Sequence, residues 1–97
     1  MPMQLFSTIC IFDFMKRLLF PNEKKYLNHL GAKLREIRLS KFYTQAQLAI
    51  DANMEVSQIS RIERGVLNTS VLTLLKIAVV LSVEISDLLP NYFSEDN

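Results

Sequence analysis

Residues 44–65 read TQAQLAIDANMEVSQISRIERG. Thr44 offers a hydroxyl that can accept a free backbone N–H at the start of a helix. The helix that follows, about Gln45 to Ala52, places Leu48, Ala49 and Ala52 on one side. Asn53 then stands where a tight connection needs a residue at positive φ, for which asparagine is the next choice after glycine. A second helix, about Val56 to Arg64, turns Ile59 and Ile62 inward and keeps polar groups outside. Gly65, a further positive-φ candidate, stops it. The segment is two short helices joined by a tight turn.

The flanks supply what such a pair needs to pack against. From Tyr26 to Ser40 the apolar residues Leu27, Leu30, Leu34 and Ile37 recur at helical spacing, with Lys33, Arg35, Glu36 and Arg38 around them. Beyond Gly65, Thr69 or Ser70 caps a fourth helix, about Val71 to Leu81, with Leu74, Leu75, Ala78 and Leu81 inward. A short fifth helix, about Ile85 to Leu89, stops at Pro90. With only two glycines and three prolines in 97 residues, the chain reads as all-α. The expected organisation is an N-terminal extension over 1–25, a five-helix domain over 26–90 with its two-helix motif at 45–64, and an acidic tail over 91–97.

Hydrophobic residues make up 49% of the chain, too many for wholesale disorder. Cys10 is the only cysteine, so no internal disulfide forms and a cytoplasmic location is expected. His29 is a surface or half-buried helix residue in this reading, and a metal site is not expected. Net charge is only +1, but it is unevenly spread. Over residues 16–41 eight bases face Glu23 and Glu36 alone, whereas 82–97 holds Glu84, Asp87, Glu95 and Asp96 with no base. A basic flank of this kind can approach phosphate while the acidic tail stays in solvent.

Leu5 to Phe20 is rich in large apolar groups. It lacks the basic start of a signal peptide, is too short to span a bilayer and is interrupted by Asp13, so no membrane association is expected. Two readings stay open: a start assigned too early, with Met15 the true beginning, or an ordered extension packing on the domain or a partner. Pro21-Asn22 makes a break after it.

A helix that reads DNA needs polar side chains on its outward face and apolar anchors behind. The helix from Val56 has both. Val56, Ser57, Gln58 and Arg61 are the candidate readers: Arg61 for guanine, Gln58 for adenine, the Val56 methyls for thymine. Gln45 opens the preceding helix, where backbone N–H groups and the dipole favour a phosphate oxygen, and its side chain can add a donor. Thr44, Arg64 and Asn68 are further phosphate candidates. No nucleophile–base pair and no phosphate-cradling glycine loop is present, so catalysis is not expected and no cofactor is called for.

LREIR at 34–38, TQAQLA at 44–49, QISRIERG at 58–65 and SVLTLLKIAVVLSV at 70–83 together resemble the Cro/phage-repressor (XRE) family of helix-turn-helix DNA-binding domains. The resemblance covers residues 30–89. It implies a five-helix domain whose third helix enters the major groove of double-stranded DNA, as a homodimer on a near-palindromic site. It further implies a buried ion pair, which falls on Arg38 and Glu63. The resulting expectation is a sequence-specific, repressor-like regulator of transcription with no small-molecule domain.

Four features depart from the family pattern. Asn53 replaces the turn glycine. Glu55 and Glu84 stand where a serine or threonine caps a helix. Ile50, Leu72 and Val79 put apolar groups at charged outer positions and need a cover, which Leu5 to Phe20 can supply. These features, with the near-neutral charge, support a second reading: a protein-interaction module on the same fold, antitoxin-like or anti-regulator, with weak or no DNA binding. A membrane-tethered regulator is a third.

Overall fold

The computed structural model describes Asp13 and residues 22–90. Calls on Leu5 to Phe20, on Cys10, on Tyr92 and Phe93 as a dimer patch, and on the acidic Glu95 and Asp96 fall outside the described residues, apart from Asp13, which is helical and exposed.

Five helices follow one another without strands among the described residues: α1 Glu23–Ser40, α2 Gln45–Asp51, α3 Val56–Glu63, α4 Val71–Leu81 and α5 Ile85–Leu88. α1 starts three residues earlier than its apolar spacing indicates, because the polar turn Glu23–Lys25 joins it with an acidic residue at the positive dipole end. α4 has the expected bounds.

All five helices feed one core. α1 gives Leu30 and Leu34, α2 Leu48 and Ala49, α3 Ile59 and Ile62, and α4 Leu74, Ile77, Ala78 and Leu81, with Leu88 of α5 closing one end. Two expectations are corrected. Leu75 is 45% exposed, whereas Ile77 is fully buried. α4 is apolar nearly all round, so periodicity alone could not choose its inner face; 74, 77, 78 and 81 form the stripe that packs. Leu88 is also fully buried, so it belongs to the core rather than to a surface patch with Leu89.

The first four helices stop in the same way. A residue at positive φ donates its N–H three residues back, and the next residue donates five back, the hydrogen-bond pattern of the Schellman motif. Phe42 N bonds Leu39 O at 3.0 Å and Tyr43 N bonds Arg38 O at 3.1 Å. Asn53 and Met54 do the same at the end of α2, Gly65 and Val66 at the end of α3, and Ser82 and Val83 at the end of α4. The left-handed residues are thus Phe42, Asn53, Gly65 and Ser82, one glycine among four.

Gly31 has a different role. A Cβ there would strike the backbone carbonyls of Ile62 and Glu63, so α1 crosses the last turn of α3 with main chain against main chain. α3 is held by α1 beneath it and by α2 beside it.

Candidate nucleic-acid interface

α3 is presented as a two-sided rod. Ile59 and Ile62 are buried, while Ser57, Arg61 and Arg64 are exposed at i, i+4 and i+7, a single outward stripe. Val56 is 48% exposed at the first turn, and Gln58 and Ser60 are half-buried on its flanks. Asn68 is exposed in the loop after α3, and Thr44 is exposed before α2.

The last turn of α3 is fixed electrostatically. Arg38 Nε donates to Glu63 Oε2 at 2.6 Å and Arg38 Nη2 to Glu63 Oε1 at 3.1 Å, a bidentate pair. Arg38 Nη1 donates to Tyr43 O at 2.8 Å, so the same guanidinium holds the link into α2. Glu63 Oε1 accepts a further bond from Gln45 Nε2 at 2.9 Å. One buried cluster therefore ties α1, the start of α2 and the end of α3 together.

That bond changes the expectation for Gln45. Its side chain is half-buried, and one amide proton is committed to Glu63, so it is not the free donor foreseen for phosphate. The physical cause is the second lone-pair side of a carboxylate that one arginine does not exhaust. The start of α2 still offers the backbone N–H groups of its first turn. Thr44 Oγ1 accepts from Gln47 N at 3.0 Å and Gln47 Oε1 accepts from Thr44 N at 3.4 Å, a reciprocal cap. The spacing T-x-x-Q carried that signal in the sequence.

α3 starts differently. Glu55 is its N-cap residue, and Gln58 Oε1 accepts from Glu55 N at 2.9 Å. The foreseen bidentate contact of Gln58 with adenine needs that oxygen free, so the cap corrects it. The charges near the outward stripe are Arg61 and Arg64 against Glu55, since Arg38 neutralises Glu63. Lys24 was not singled out from sequence; its Nζ donates to Gly65 O at 2.7 Å and steadies the end of α3. Nothing in local spacing marks that contact.

The family described as helix-turn-helix matches residues 34–88 of this chain. Control protein C.BamHI of Bacillus amyloliquefaciens is 43% identical over 60 residues, which span 61% of this chain and 74% of that protein. Among solved structures, the restriction-modification controller protein C.AhdI from Aeromonas hydrophila superposes with a TM-score of 0.63 at 35% identity, covering 64% of this chain and 94% of that one. The clp gene regulator ClgR from Corynebacterium glutamicum gives a TM-score of 0.63 at 28% identity, covering 65% and 67%.

Proposed function

The chain belongs to the XRE-type helix-turn-helix family of non-catalytic, DNA-binding transcription regulators, and from that premise we propose that it binds double-stranded DNA sequence-specifically as a homodimer and represses transcription by occupying promoter DNA. The observation that carries the reading is the outward stripe of Ser57, Arg61 and Arg64 on a helix whose far side is locked by the Arg38–Glu63 pair. In this reading α3 lies in the major groove and Arg61 bonds guanine in bidentate fashion, worth about 1–3 kcal/mol of discrimination. Val56 and Ser57 contact neighbouring base edges. The first turn of α2, with Thr44 and Gln45, sits on phosphate, as do Arg64 and Asn68. Two copies place their α3 helices on half-sites about 34 Å apart. The relatives named as control proteins of restriction-modification support a role in gene control, exercised in the cytoplasm.

Selection of bound sequences from random duplex DNA tests this, with Arg61→Ala as control. A recovered motif with two half-sites one helical turn apart is expected. Recovery of no motif, or of the same motif and affinity from Arg61→Ala, would overturn it.

A second reading is favoured by one observation: Val71, Leu72, Leu75 and Val79 form an exposed apolar stripe on α4. A protein-interaction module would use that stripe and leave α3 idle. Salt separates the two. A DNA binder loses affinity with a log–log slope of about −0.9 per phosphate neutralised, whereas apolar docking does not.

A further inference from the structure

Resting on the DNA-binding reading above, we propose that Gln58 is a specificity-determining residue that reads its base as a hydrogen-bond donor only, selecting guanine or thymine over adenine and cytosine. A glutamine amide has one acceptor oxygen and one NH2 group, and its bidentate match to adenine uses both. Here the oxygen is engaged. The backbone N–H of Glu55 needs an acceptor, and Gln58 supplies Oε1 at 2.9 Å. That bond fixes which end of the amide faces inward, because Nε2 cannot accept from N–H. Nε2 is left without a partner among the described residues.

The same bond places the amide over the first turn of α3. Unfolded along its flank, Gln58 would lie closer to the core side than Ser57 or Arg61. Curled back toward Glu55, it lies at the tip of the helix, the end that meets base edges when such a helix docks. The carboxylate of Glu55 is exposed on that tip. It repels a phosphate oxygen and does not repel the neutral acceptors of a base. Guanine offers O6 and N7 in the major groove and thymine offers O4, while cytosine offers only the N4 donor. A donor-only amide therefore gains from the first two and is rejected by the last. Adenine still offers N7, but its N6 donor meets no acceptor from Gln58.

The experiment uses the full chain and a duplex recovered by selection. Binding of that duplex against a scrambled one first shows whether the chain binds specifically; equal affinity sinks the DNA-binding reading itself. Every base pair of one half-site is then replaced in turn, for the native chain and for Gln58→Glu. Glutamate can still accept the Glu55 N–H, so the cap is kept, while its outward atom becomes an acceptor. At one position per half-site the native chain is expected to favour guanine or thymine by about tenfold over cytosine, and Gln58→Glu to reverse that order toward cytosine. All other positions keep their preferences. Two outcomes overturn the proposal: an adenine optimum lost when its N6 amino group is removed, or a native profile that Gln58→Glu leaves unchanged at every position. Circular dichroism confirms that the variant is folded. Should it fail to fold, the native profile alone still decides between a guanine or thymine optimum and an adenine one.

Discussion

Arg38 and Glu63 lie 25 residues apart and meet as a bidentate pair whose side chains are only 7% and 3% exposed. Such a pair is costly to desolvate, and its strength comes from having every partner present. Removing one member leaves a buried charge with nothing to answer it. Glu63→Ala is therefore expected to cost about 3–5 kcal/mol, read from the urea unfolding midpoint. It also frees the Gln45 amide and the Arg38 guanidinium, so the end of α3 loosens before the domain melts. A loss below about 1 kcal/mol would mean that the pair behaves like an exposed one.

Phe42 is 91% exposed and sits at a φ of 62°, where it stops α1. A bulky residue in the left-handed region costs about 1–2 kcal/mol, and glycine costs about 0.5–1 kcal/mol in unfolded-state entropy. With no packing to lose, Phe42→Gly should gain about 0.5–1 kcal/mol, a rise in thermal midpoint of about 4 °C. The opposite change at Gly65 should destabilise, because a Cβ there meets the backbone of Asn28 at a φ of 74°. A lower midpoint for Phe42→Gly would show that the ring has a partner.

Arg61 is exposed and lacks a hydrogen-bond or ion-pair partner among the described residues. Arg61→Ala should leave the unfolding free energy within about 0.5 kcal/mol and lower discrimination at one base pair by about 1–3 kcal/mol. Arg64→Ala, at a phosphate, should instead weaken all sequences alike and reduce the salt slope by about 0.9. Competition binding at three salt concentrations separates the two behaviours. Identical effects from both variants would contradict the assignment of one to bases and the other to backbone.

The stripe of Val71, Leu72, Leu75 and Val79 predicts a dependence on residues 1–20. Removing them should lower the thermal midpoint and raise the tendency to associate, and Val79→Glu should offset the association. Unchanged solubility and stability after the deletion would show that Leu5 to Phe20 does not cover α4.

The helices were legible where polar and apolar residues alternate clearly. Gln45 to Gly65 could be read almost residue by residue, and Asn53 was recognisable as a left-handed turn residue because asparagine tolerates that conformation. α4 was legible in extent but not in orientation, because VLTLLKIAVVL has too few polar positions to mark a surface. The stop at Phe42 carried no signal; nothing about a phenylalanine announces positive φ. In the candidate site, the outward position of Ser57 and Arg61 followed from the inward pair Ile59 and Ile62. The Arg38–Glu63 contact came only with the family resemblance. Where Gln45 and Gln58 spend their amides depends on neighbours brought close by folding, which no spacing along the chain reports.

Gly31 meets the carbonyls of Ile62 and Glu63 with nothing but hydrogen between them. A fulcrum made of main chain has no rotamers to readjust. Methyl groups elsewhere in the interior can be exchanged over generations without tilting the rod that rests on it. The height of that rod is decided by a missing side chain, so the protein can drift in composition and keep the same address.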